Sequence, residues 1–339
     1  MSELNERMPY VTAFPRALGT GLIVRSSQPI GDDLRAAMLS FIDDYERTLS
    51  RFRDDSPVTA MGWAEHGGRF DFPTWTIALF SWYDSLCAAT DGAIDPCVGE
   101  DLIRLGYGAD YTFTVEPGAG GRLGAIHGRP TWRGDVERDG STLVTKRPVH
   151  LDFGACGKGY LVDLLTERFL NPLVERDNAE FVIDAGGDLL VRSSQPITIA
   201  LEDPADTSRA VGTATIPSGA FCASAPSRRR WENGGNPGIN TMVHDGTNTI
   251  VPAGTGANTA IRSETNTIVH HLLNAIDGLP VRDVAATWVA ADTTMLADGL
   301  ATALFVADPN RLANRFPGAF ECALLNADRT ALMSRHFPG

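Results

Sequence analysis

The 339-residue chain carries 29 Lys and Arg against 42 Asp and Glu, a formal net charge of −13, and 43% of its residues are hydrophobic. This acidic balance, with no long basic run, excludes general nucleic-acid binding, and no apolar run approaches the ~18 residues of a membrane span. The N-terminus is polar and the five Cys (87, 97, 156, 222, 322) are scattered without a C-x-x-C pair, so the expectation is a soluble, cytoplasmic protein with reduced thiols and neither a disulfide framework nor a zinc site.

In chain order, Leu-Gly-Thr-Gly at 18–21 leads into a predicted strand at Leu22-Ile23-Val24. Leu34, Met38, Phe41, Ile42, Tyr45 and Leu49 recur at helical spacing over 32–52, and Asp32 or Asp33 is the expected cap. A second, more apolar helix is predicted from about Pro73 to Thr90, stopped by Asp91-Gly92. A loop at 92–99, a short helical piece and the tight Leu105-Gly106-Tyr107-Gly108 follow. Residues 129–151 read as strands with a hairpin turn at Asp139-Gly140. Residues 152–170 start as a glycine-broken loop and become a helix. Glu180–Asp184 is a predicted strand entering the turn Ala185-Gly186-Gly187-Asp188, and strands continue at 189–193 and 197–202. Residues 231–268, rich in Gly, Asn and Thr, read as a long inserted loop or weak hairpin. A strand at 285–290 precedes a helix over 293–305, where Leu296, Leu300 and Leu304 share one side. Helices and strands mix without regular βαβ alternation, which favours an α+β fold with mixed, largely antiparallel sheets flanked by helices. The elements interleave through residues 18–339 as one unit, open to division into two lobes, behind an N-terminal extension at 1–17.

Three stretches carry chemistry. Asp298 and Thr302 stand four residues apart on one helical face and offer two hard oxygen donors, a pairing that suits Mg²⁺; taken alone, a solvated helix face has the same pattern. Asp152-Phe153-Gly154-Ala155-Cys156-Gly157-Lys158-Gly159-Tyr160 opens a helix with small residues and a cation, a phosphate cradle or equally a tight packing turn. Its spacing is neither a Walker loop nor a dinucleotide fingerprint. The Gly186-Gly187-Asp188 turn is the third. Ser227-Arg228-Arg229-Arg230-Trp231 is the one dense basic patch, and His270-His271 supplies a candidate general base rather than a zinc pair.

The order of these motifs resembles that of the ApbE-type FAD:protein FMN transferases over roughly residues 18–306. The matching segments are Leu18-Gly-Thr, Asp91-Gly-Ala-Ile-Asp95-Pro-x-Val-Gly, Leu105-Gly-Tyr107-Gly, Asp152-Phe-Gly-Ala-x-Gly-Lys-Gly-Tyr-x-Val-Asp163, Asp184-Ala-Gly-Gly-Asp188, His271-Leu-Leu-Asn-x-x-Asp-Gly278-Leu-Pro and Thr294-Met-Leu-Ala-Asp298-Gly-Leu-Ala-Thr302. The resemblance implies Mg²⁺-dependent transfer of FMN from FAD to a Thr or Ser hydroxyl of a target flavoprotein, with release of AMP. It also implies that Asp298, Thr302 and the Ala155 carbonyl hold Mg²⁺. Asp95, Tyr107, Lys158, Asp163, Gly186, Gly187 and Asp188 would line the FAD site, with Lys158 also stabilising charge, and His271 would activate the acceptor hydroxyl. Where the family usually reads His-Ile-Ile-Asp-Pro-x-Thr-Gly, this chain has His271-Leu-Leu-Asn274-Ala-Ile-Asp277-Gly278, a departure on the acceptor side. Two other readings stay open: hydrolysis of FAD to FMN and AMP, and a non-catalytic FAD-binding protein.

Overall fold

The computed structural model describes residues 3–232 and 268–339. At its centre lies an eight-stranded sheet built from β1 (Tyr10–Phe14), β2 (Leu22–Ser26), β3 (Phe181–Asp184), β4 (Asp188–Arg192), β5 (Gly219–Ser224), β6 (Val284–Ala291), β7 (Phe320–Asn326) and β8 (Ala331–Met333). The spatial order follows the chain order, and every neighbouring pair is antiparallel. The fold is α+β, and the other functional elements are insertions between successive strands of this meander.

Side-chain alternation gives the sheet two buried faces. Phe181, Ile183, Leu190, Cys222, Val289 and Leu324 join the core that packs against the helices. Val182, Val191, Phe221, Trp288 and Leu325 face the opposite way, where the hairpin Ile197–Asp203 with Asp206–Ile216 supplies Ile197, Leu201, Ala214 and Ile216. Strands buried on both faces lose the apolar–polar alternation that marks a half-exposed strand, which is why β5 and β7 lie outside the predicted elements. The edge strand β1 and the strand Gly68–Asp71 are short and mixed in character and also lie outside them.

Four helices matter for the site: α1 (Asp32–Leu49), α2 (Thr76–Ala89), α3 (Gly157–Leu165) and α4 (Thr294–Ala303). In α1 the predicted stripe Met38, Phe41, Ile42, Tyr45 and Leu49 is buried, but Gly31 occupies the cap position, and Asp32 and Asp33 fall in the first turn, where their charges complement the helix dipole. In α2, Leu79, Phe80, Tyr83 and Leu86 are fully buried, and the helix stops where Asp91 and Gly92 both take positive φ. The predicted 129–151 strands hold in part. Val136–Asp139 and Thr142–Thr145 form a hairpin with Gly68–Asp71 as a third strand, but Trp132–Asp135 is a helical turn capped by the Thr131 side chain.

Of the insert predicted at 231–268, residues 233–267 lie outside the described residues; on either side, Arg230–Glu232 pairs antiparallel with Ile268–His270. Among the described residues no helix is long and apolar enough to cross a membrane. All five cysteines are unpaired and buried.

Candidate active site

Helix α3 lies against α4, and both pack on the helix-covered face of the sheet beside β4 and β5. This junction brings Lys158, Asp188 and Asp298 together. Lys158 Nζ is 2.7 Å from Asp188 Oδ2 and 3.3 Å from Asp298 Oδ1, and the Gly159 amide donates to Asp298 Oδ2 at 3.0 Å. Both carboxylates are 1% exposed and the lysine side chain is 28% exposed, so two buried acids share one cation. A buried charge without a partner is costly, and Asp188 Oδ1 has no hydrogen-bond partner among the described residues. Next to this cluster, the Thr302 hydroxyl donates to the Ala155 carbonyl at 3.1 Å, which brings the α4 and cradle oxygens together.

The electrostatics follow from burial. Burial raises the Asp298 carboxyl to about 7, with Asp188 pushing the same way and Lys158 pulling against it. Burial works against the Lys158 ammonium, but Asp188 and Asp298 outweigh it and hold its pKa well above the usual lysine value. Carbonyl, hydroxyl and carboxylate oxygens with no nitrogen or sulfur donor make a hard set. Among the described residues no group of three His, Cys, Asp or Glu side chains is arranged to hold a metal ion, so the set is not an all-carboxylate cage. It fits Mg²⁺, which keeps waters and takes substrate phosphate oxygens to complete its shell, and the unpaired Asp188 oxygen points to the same excess of acceptors over cations.

The remaining cradle residues frame this centre. Gly186 and Gly187 adopt φ of 70° and 102°, and the Gly187 amide donates to Asp184 Oδ1 at 2.9 Å. A Cβ on Gly186 would lie 3.1 Å from the Thr20 side chain, so the Leu18-Gly19-Thr20 loop rests on this turn. Asp163 is one turn beyond Gly159 on α3, and its two oxygens accept from the Thr294 and Met295 amides, each at 2.8 Å. Asp95 lies in a separate buried knot, accepting from the Cys97 amide at 2.8 Å and the Trp132 amide at 3.0 Å, with Arg129 3.9 Å away.

Tyr107 and His271 meet through Arg229. The His271 Nδ1 atom lies 3.3 Å from the Arg229 carbonyl; a carbonyl only accepts, so Nδ1 carries the proton and Nε2 keeps its lone pair. The Arg229 guanidinium donates to the Tyr107 hydroxyl and lies 5.6 Å from the centre of its ring. Burial pulls the His271 imidazole down to about 3, and the Arg229 and Lys158 cations push it further in the same direction. His271 is therefore neutral at physiological pH and lies within the electrostatic reach of both Lys158 and Arg229. His270, by contrast, is buried with Nε2 donating to the Val281 carbonyl at 2.8 Å.

A model of the ApbE family matches residues 18–324. The chain belongs to the ApbE family. A curated relative, the FAD:protein FMN transferase of Haemophilus influenzae, is 25% identical over an alignment of 230 positions that covers 64% of this chain and 56% of the relative; the chain thus spans little more than half of that protein's length. Among solved structures, the ApbE protein of Thermotoga maritima superposes with a TM-score of 0.73 at 21% identity, covering 96% of this chain and 97% of that one. The flavin transferase ApbE of Vibrio cholerae gives 0.70 at 17% identity, covering 96% and 97%. At these identities the likeness is one of fold.

Within the ApbE fold, this chain's departures at residues 274–277 have a plain structural outcome. Asn274 Oδ1 accepts from the Ile276 amide at 3.0 Å and Asp277 Oδ1 from the Leu279 amide at 2.9 Å, so both side chains close their own turn. That turn is tied to the core by Arg129, whose Nη2 donates to the Ala275 carbonyl at 2.6 Å while its Nε pairs with Asp101 at 2.7 Å. Arg51, Asp152, Arg129 and the particular role of Arg229 are absent from the predicted site. Arg51 pairs with Asp152 and donates to the Tyr107 carbonyl at 2.7 Å. Asp152 heads the cradle motif and Arg229 lies in the basic patch, so both had a local signal; Arg51 and Arg129 had none.

Proposed function

We propose that the protein transfers the FMN moiety of FAD to a Thr or Ser hydroxyl of a partner flavoprotein and releases AMP. Family membership and a curated relative named FAD:protein FMN transferase support the reaction class. The observation that carries the reading is the meeting of Lys158, Asp188 and Asp298 beside the Thr302–Ala155 oxygens. Asp298, Thr302 and the Ala155 carbonyl would hold Mg²⁺, which when bound supplies charge neutralisation on the pyrophosphate.

The chain's own groups do the rest. Lys158 would be the positive charge of the cluster nearest the phosphates, and the Gly186-Gly187 turn lets the ligand approach the backbone. Tyr107 is 4% exposed, with Arg51 and Arg229 against its ring, so it would support the wall of the FAD site from behind rather than stack on a ring system. In the transfer, the acceptor hydroxyl oxygen bonds to the FMN phosphorus, the bond from that phosphorus to the bridging oxygen breaks, and AMP departs with the bridging oxygen. His271 Nε2 takes the hydroxyl proton. Positioning and electrostatic stabilisation supply most of the acceleration in reactions of this kind. Asp298→Ala is expected to abolish divalent-cation-dependent FMN transfer, measured as FMN covalently attached to the acceptor. Full transfer by that variant would remove the metal assignment.

A further inference from the structure

We propose that Asp163 is a positioning residue: from α3 it fixes the register of α4, and with it the placement of Asp298 and Thr302 opposite Lys158 and Ala155. The inference rests on the proposed metal site only for its functional consequence; the register itself is read from the two helices.

The amides at the start of a helix have no partner within it. In α4 three of them are shared between two acceptors. The Thr293 side chain, the helix's own cap, takes the Leu296 amide at 3.4 Å. The Asp163 carboxylate, arriving from the neighbouring helix, takes the Thr294 and Met295 amides at 2.8 Å each. A negative charge at a helix N-terminus is favourable, and both oxygens are engaged. One turn earlier on α3 the traffic reverses: the Gly159 amide donates to Asp298 Oδ2 at 3.0 Å. Between these two links the backbones touch, because a Cβ on Gly159 would fall 2.3 Å from the Thr294 carbonyl oxygen. Each helix thus places a carboxylate on amides of the other. Sliding α4 by one turn, about 5.4 Å, breaks both links at once.

The test uses the full-length protein, with Mn²⁺ as the probe and its binding followed by electron paramagnetic resonance. The wild type is expected to bind, and Asp163→Asn, which keeps the volume but turns an N–H towards one amide, to bind about tenfold more weakly or worse. Asp163→Glu, with the carboxylate one methylene too far out, is expected to do the same and serves if the first variant does not fold. Thr293→Ala removes only the helix's own cap; it is expected to lower Tm and leave Mn²⁺ affinity unchanged. Wild-type affinity in the Asp163 variants, or equal weakening by Thr293→Ala, would overturn the proposal. If the wild type binds no Mn²⁺, it is the metal reading that fails, and the register claim is decided without metal by hydrogen exchange. Asp163→Asn should then speed exchange at the Gly159 amide, on the other helix from the lost contacts, and unchanged protection there would overturn the proposal.

Discussion

Asp298 and His271 are both shifted by burial, in opposite chemical senses, and each shift has a measurable consequence. At the proposed metal site the Asp298 carboxyl, raised to about 7, would have to lose its proton before ligating a cation, so proton and metal would compete there. Divalent-cation affinity is therefore expected to fall steeply as pH is lowered from about 8 to about 6, read by Mn²⁺ titration at each pH; a flat profile contradicts the assignment. His271, drawn down to about 3, is already neutral at pH 7. An acid limb of kcat/KM between about pH 6 and 8 would therefore belong to Asp298 and not to His271, and His271 is tested by substitution at fixed pH, where His271→Gln should cost about 10²–10⁴-fold in rate. An unimpaired variant would remove His271 as the base. At this scale the sequence shows residue types and spacing but not partners. Helical spacing put Asp298 and Thr302 on one face, and the glycine-broken start of α3 drew attention to Lys158, but only the order of the motifs joined them into one candidate site. Asp163 and Asp95 were legible as acids in motifs, yet their observed contacts are with amides of Thr294, Met295 and Trp132, which only the tertiary fold brings near.

Helix boundaries came through for a related reason. The stripe of α1 and the apolar body of α2 are local properties, and so is the stop at Asp91-Gly92. The contact between α3 and α4 is not local, and Gly159 is its tightest point. Replacing a helical glycine by alanine is intrinsically favourable by about 1 kcal/mol. Here the added methyl would meet the Thr294 carbonyl oxygen at 2.3 Å, and overpacking of that kind costs about 1–3 kcal/mol. Gly159→Ala is thus expected to be net destabilising despite its propensity gain, seen as a lower midpoint in chemical denaturation. It should also weaken divalent-cation binding, since Asp298 hangs on the Gly159 amide. A gain in stability would show that the two helices have room to part. The turn at 274–277 is fixed differently, by the buried Arg129–Asp101 pair and its bond to Ala275, so the change from Asp-Pro to Asn-Ala leaves a turn closed by its own side chains.

Across the whole molecule, the antiparallel sheet is a platform that collects residues distant in sequence. Lys158 comes from the insertion between β2 and β3, Asp188 from the head of β4, His271 from the insertion between β5 and β6, and Asp298 from the insertion between β6 and β7. The mixture of helices and strands was enough to assign α+β from sequence, and the motif order was enough to reach the family. The two-faced burial of the sheet, which hid β5 and β7 from periodicity, could only be seen once both layers were in place. The central claim is that this assembled site joins FMN to a protein hydroxyl. It is tested most directly by incubating the protein with FAD, Mg²⁺ and a candidate flavoprotein and weighing the acceptor by mass spectrometry, with AMP measured alongside. The account predicts one FMN added on a Thr or Ser, AMP released in equal amount, and no steady AMP release without the acceptor. FAD cleaved to FMN and AMP with no acceptor modified, or FAD left intact beside a competent acceptor, would contradict it.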